Sequence, residues 1–142
     1  MYRKSKPEKY VEPMPKKQLQ RIVKAFKKNG GLICMSEETD AYLIKHKAEG
    51  STLNALTILL NSNPGRATVF EELIHATQFK MGKNNGTDVS RIKCEIEAQK
   101  KLIKYSNFYQ LTAVELEQTK DALKYYQNEL KNLMKGGKDY DI

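Results

Sequence analysis

Phe70-Glu71-Glu72-Leu73-Ile74-His75-Ala76-Thr77-Gln78 decides how the rest of this chain is read. Phe70, Leu73, Ile74 and Thr77 recur at helical spacing, which predicts a helix over 66–80 with those residues on its core face. At about 100° per residue, Glu71, His75 and Gln78 form a stripe on an adjacent face, and Glu72 lies about another 100° round. Glu71 and His75 are one turn apart, so a carboxylate and an imidazole are presented together. Asn63-Pro64-Gly65-Arg66 precedes this helix, and Met81-Gly82-Lys83-Asn84-Asn85-Gly86 is a loop that ends it.

Outward from this helix, Leu53 to Leu60 is an apolar run bounded by Asn61-Ser62-Asn63-Pro64-Gly65, which predicts one buried strand over 53–60. Gly31-Leu32-Ile33-Cys34-Met35 predicts another. Leu19, Ile22, Val23 and Phe26 keep helical spacing over 15–28, with Pro15 suited to a first turn and Asn29-Gly30-Gly31 to a stop. Ser36-Glu37-Glu38-Thr39 starts a short helix over 37–46. Two further helices are expected at 88–105 and 112–134, the second ended by Gly136-Gly137. The fold class is therefore α+β: mostly helical, with a small sheet packed on the motif helix. Residues 1–15 carry Pro7, Pro13 and Pro15 among charges and read as an extended basic tail or linker; 16–135 reads as one domain and 136–142 as a loose tail.

The chain has 142 residues, 39% of them apolar, which suits one domain with a modest core. Mean hydropathy is −0.67, and no stretch approaches a membrane span, so no membrane partner is expected. No apolar signal region follows the basic start. Cys34 and Cys94 are far apart and form no CxxC, so they read as buried free thiols. The net charge is +8, with lysine dense at the N-terminus and through Arg21, Lys24, Lys27 and Lys28. Such a surface meets nucleic acid, an anionic surface or an acidic protein. No zinc finger, no aromatic RNA-binding motif and no phosphate-cradling glycine loop accompanies it, which makes nucleic acid the lesser expectation.

The chemistry-bearing frame is Glu71-Glu72-x-x-His75. In the HExxH pattern two His one turn apart bind zinc, and the Glu beside the first is the general base. Here the first ligand is a carboxylate, which can also ligate zinc. That frame makes Glu72 the base, with Glu71 and His75 as ligands. A third ligand is sought in Cys94-Glu95-Ile96-Glu97-Ala98-Gln99. Glu95 and Glu97 point about 200° apart on a helix, and Glu97 is preferred because Ala98 beside it allows close helix packing. The same residues have a plain structural reading: a histidine bonded to a carboxylate across a turn, and two acids favourable near a helix start. Gln78 either orients His75 or lies on the surface. Tyr105 and Tyr109 read as packing residues that could also give a transition-state hydrogen bond, and His46 reads as exposed.

Residues 31–135 resemble a zincin-type metallopeptidase domain of bacterial polymorphic toxins and prophage-associated proteins. The resemblance rests on Asn63 to Gln78 and on Cys94 to Ile103, including the pair Glu97-Ala98. It implies Glu72 as base, His75 and Glu97 as metal ligands, and Glu71 standing where such zincins carry His. It implies zinc or another divalent metal, a peptide or protein substrate, and an acidic immunity-type protein as partner. It also implies the bacterial cytoplasm, or export within a larger toxin. The rival readings are an inactive zincin-like module that binds a protein, and a basic nucleic-acid-binding domain.

Overall fold

Helix α1 (Lys16–Lys28) opens the computed structural model, which describes residues 10–140, with side chains through Lys135. Then come β1 (Leu32–Cys34), α2 (Glu37–Lys45), β2 (Gly50–Asn54), β3 (Thr57–Leu60), α3 (Arg66–Lys80), α4 (Asp88–Lys104) and α5 (Ala113–Tyr140). The chain is mostly helical with one small mixed sheet, as the α+β expectation has it. Local chemistry explains several starts. Ser36 accepts a hydrogen bond from Thr39 N and caps α2; Thr87 accepts from Ser90 N and caps α4. Pro15 stands at the head of α1 with its φ already near helical.

The sheet order is β1-β3-β2, with β1 parallel to β3 and β2 antiparallel to it. The single strand expected over 53–60 is instead a hairpin. Leu56 N donates to Asn54 Oδ1 at 2.9 Å, so the asparagine side chain closes the turn in the middle of an apolar run. Leu53 and Leu56 flank that turn and are about half exposed, which is why an unbroken apolar run misleads here.

Helix α3 lies against β2 and β3 on one side and α4 on the other, and α4 in turn packs along α5. Ile33, Ile58, Leu60, Val69 and Ala76 form the core between sheet and α3 with Met14 and Leu19. Ile74, Ala98 and Leu102 form a second cluster between α3 and α4. Being central, α3 is buried almost all round. Glu71, Glu72, His75 and Gln78 are buried while Thr77, expected on the core face, is exposed.

Both ends differ from expectation. Residues 10–15 are extended, but they are not a free tail. Met14 is buried in the core, its N–H donates to Pro64 O at 2.8 Å, and Pro13 bridges Gly65. Residues 1–9 lie outside the described residues. Gly136-Gly137 does not end α5, which runs to Tyr140; glycine within a helix costs only about 1 kcal/mol relative to alanine.

One carboxylate joins two helix starts. Thr112 and Glu115 form a reciprocal capping box at α5: Glu115 N donates to Thr112 Oγ1 at 3.2 Å and Thr112 N to Glu115 Oε1 at 3.1 Å. The other oxygen, Oε2, accepts from Ala67 N at 2.6 Å and so caps α3. Gly65 makes room for this, since a Cβ there would sit 2.9 Å from Oε2. Glu115→Ala should therefore cost about 2–3 kcal/mol, one cap plus one buried donor left unmet. Urea unfolding followed by circular dichroism measures it, and a change below about 0.5 kcal/mol, the range of neutral surface substitutions, would refute the double role.

Candidate metal and acid–base site

Helix α3 presents Glu71, Glu72, His75 and Gln78; α4 presents Glu95 and Gln99. All six are essentially buried. Burying three carboxylates and an imidazole is costly unless each finds a partner. His75 Nε2 lies 2.6 Å from Glu95 Oε1. On the other side of the ring, His75 Nδ1 lies 2.7 Å from Gln78 Oε1. The amide of Gln78 is oriented by its own donor: Nε2 bonds Cys94 O at 2.9 Å and Glu97 Oε1 at 3.0 Å. Only the oxygen of Gln78 is thus left to face His75, so Nδ1 carries a proton.

Glu71 accepts a short hydrogen bond from the Gln99 amide. Glu72 Oε1 accepts from Thr52 Oγ1 at 2.8 Å, across from β2. Among the described residues, Glu72 Oε2 is buried without a hydrogen-bond partner. It faces Gly50, where a Cβ would come within 3.2 Å of it. Tyr126 from α5 hydrogen-bonds Glu95 and lies within the field of Glu71.

Glu97 does not join this group. Its carboxylate is about half exposed and paired with Lys83 Nζ at 2.8 Å, and it reaches His75 only through Gln78. The small residue Ala98 does pack tightly on α3, as the sequence suggests. But the residue sharing its face is three back, at 95, not the adjacent 97: Ile92, Glu95, Ala98 and Leu102 are buried together. That spacing is the signal that singles out Glu95. Tyr126 and Thr52 carry no comparable signal, being one residue each on elements distant in sequence. Tyr109 packs on Phe70, centroids 4.5 Å apart, and Tyr105 lies at the protein surface; His46 is exposed.

The cluster sets its own protonation. Burial, then the charge of Glu71, pushes Glu72 up to about 8. Burial opposes the imidazolium of His75, yet the hydrogen bond and charge of Glu95, with Glu72 and Glu71, carry it up to about 9. Burial likewise opposes the Glu95 carboxylate, but the bonds from His75 and Tyr126 hold it below its ordinary value. The metal-free site near neutral pH is thus an imidazolium–carboxylate pair beside a protonated Glu72.

A stability prediction follows. Glu72 and His75 both bind their protons more tightly when folded, so their contributions are full below the ordinary values of 4.5 and 6.5. They are lost as pH rises through about 8 and about 9 respectively. Glu95 has the opposite sign, and its contribution is lost in acid. Metal-free protein should be most stable near about pH 5–6 and weaken toward about pH 9. Thermal melts in chelator across that range test this, and a midpoint climbing steadily from neutral to alkaline pH would contradict it.

Among the described residues, no three His, Cys, Asp or Glu side chains form a group positioned to hold a metal ion. No helix among them is long and apolar enough to cross a membrane. Compared with protein-family models, with curated proteins and with solved structures, the chain matches none.

Proposed function

We propose that this chain is a metal-dependent hydrolase of zincin-like peptidase type, with Glu72 as general base and His75, Glu95 and Glu71 as the ion's ligands. Glu95 takes the role that the sequence reading gave to Glu97. The observation that carries the proposal is the His75 ring: Nδ1 donates to Gln78 Oε1 while Nε2 faces a buried carboxylate. A histidine that ligates metal characteristically donates its other ring N–H to a fixed acceptor. The donor types also suit such an ion, being one imidazole nitrogen with carboxylate oxygens on two helices, which would have to regroup from the arrangement seen here to ligate it. The buried Oε2 of Glu72, which has no hydrogen-bond partner among the described residues, is the kind of atom a polar ligand would satisfy.

When bound, a divalent cation supplies Lewis acidity and acidifies water; zinc suits the imidazole, and a harder ion suits the carboxylates. The protein's own groups do the rest. Thr52 fixes Oε1 of Glu72, leaving Oε2 to take a proton from the attacking water and deliver it to the leaving amine. A cation beside it would favour the ionised form of Glu72, the form that accepts a proton, over the neutral carboxyl that burial favours in the metal-free site. Strand β2 is one edge of the sheet, and its exposed Leu53–Asn54 end could pair with an extended peptide, while its Gly50–Thr52 end beside Glu72 is buried. Tyr126 holds Glu95 in place.

The closed His75–Glu95 pair favours a second reading, a zincin-like scaffold that binds a protein partner without metal. Metal analysis of the purified chain separates the two, with calorimetric titration of zinc and manganese into wild type and Glu71→His. That substitution completes the HExxH frame and should raise zinc affinity about tenfold or more, the scale on which changes around a zinc site act. Absence of detectable metal binding in both proteins rejects the hydrolase and leaves the scaffold.

A further inference from the structure

A groove of about 820 Å³ runs along α1 and is lined also by Met35 after β1 and Ser62 after β3. Helix α1 packs on β1, whereas the carboxylate cluster lies between α3, α4 and β2, so the two places are separate in the fold. Four cations line the groove: Lys16, Lys17, Arg21 and Lys24. Leu19, Val23 and Met35 supply an apolar floor, and no acidic residue lines it.

Nothing inside the described chain neutralises these cations. None of the four takes part in an ion pair among the described residues. Helix α1 contains no acidic residue, and its first turn carries two lysines at the positive end of the helix dipole with no side-chain cap. Each of those choices is locally unfavourable. Such departures from local preference gather at functional surfaces.

The floor decides what kind of polyanion fits. A nucleic-acid backbone has no apolar face to lay on Leu19, Val23 and Met35, and the groove offers no aromatic ring for base stacking. A helix with apolar residues on one face and carboxylates beside them matches both layers. We propose that this groove docks an acidic amphipathic segment of a partner protein. Its apolar face lies on Val23 and Met35 over the buried Leu19, and its carboxylates meet Lys17, Arg21 and Lys24.

The test is fluorescence anisotropy with the full chain and a labelled synthetic peptide of about four helical turns, leucines on one face and glutamates flanking them. Three comparators are a peptide of the same composition with its leucines scattered, duplex DNA of matching length, and phosphatidylserine-containing vesicles. The patterned peptide should bind. Lys17→Glu/Arg21→Glu/Lys24→Glu, all at exposed positions, should weaken it at least about tenfold, the sum of several surface ion pairs. Met35→Glu should weaken it as well. Circular dichroism of each variant confirms that the fold is kept. The proposal is overturned if the patterned peptide does not bind, if the scattered peptide binds equally well, or if the triple variant changes nothing. Tighter binding of DNA or vesicles, lost in the same triple variant, assigns the groove to that partner instead.

Discussion

On the proposed hydrolase reading, Glu72→Gln is expected to reduce metal-dependent peptide hydrolysis by a factor on the order of 10²–10⁴, the usual share of a general base, with metal binding unchanged. The amide keeps the size of the carboxyl and can still face Thr52 Oγ1, but it cannot take a proton from water. A second consequence separates chemistry from folding. Burial favours the neutral carboxyl of Glu72, so the neutral amide is compatible with the fold. It should also lack the alkaline loss of stability that Glu72 brings. Turnover of a fluorogenic peptide library, metal content and thermal melts at pH 6 and 9 measure the three effects. Retained turnover with metal in place would remove Glu72 from the mechanism.

The larger structural effect is expected at Glu95. Glu95→Ala leaves the His75 ring buried opposite an empty space, and breaking a buried ion pair by removing one partner costs about 3–5 kcal/mol. Glu97→Ala removes a half-exposed partner of Lys83, a pair of the kind worth about 0–1 kcal/mol. Gln78 keeps its bonds to Cys94 O and His75 in that variant. On the proposed metal-site reading, metal affinity should follow the same order, lost with Glu95 and nearly unchanged with Glu97. Urea titration and calorimetry on the two variants decide this, and a larger loss from Glu97 would restore the sequence-based assignment.

The contrast shows where sequence reading reaches its end. Helix starts are written in short-range chemistry, and Pro15, Ser36 and Thr112 mark theirs. The Glu71-Glu72-x-x-His75 frame is legible for the same reason, since one helix fixes the relative directions of its own side chains. The β2–β3 turn is not legible, because Asn54 closes it without a glycine and within an apolar run. The choice between Glu95 and Glu97 depends on how α4 is rotated against α3. Adjacency to Ala98 suggests one answer, and the spacing Ile92, Glu95, Ala98, Leu102 gives the other. Thr52 and Tyr126 enter only through tertiary packing, from a strand and a helix that nothing local ties to the motif. The periodicity of α3 misleads because a central helix has no single core face. Phe70 and Leu73 are only partly buried there, while the polar residues are fully enclosed.

The carboxylate of Glu115 also sets an order of events during synthesis. It meets Ala67 N from 48 positions along the chain. A ribosome making about 5–20 residues per second needs roughly 2–10 s to cover that distance. Until then the first turn of α3 lacks its closing acceptor, and α5 is not there to pack along α4. The helix that carries Glu71, Glu72 and His75 is complete in sequence long before it can settle, so these residues stay hydrated on the nascent chain. Their burial waits at least on α4, which brings Glu95 and Gln99 against them.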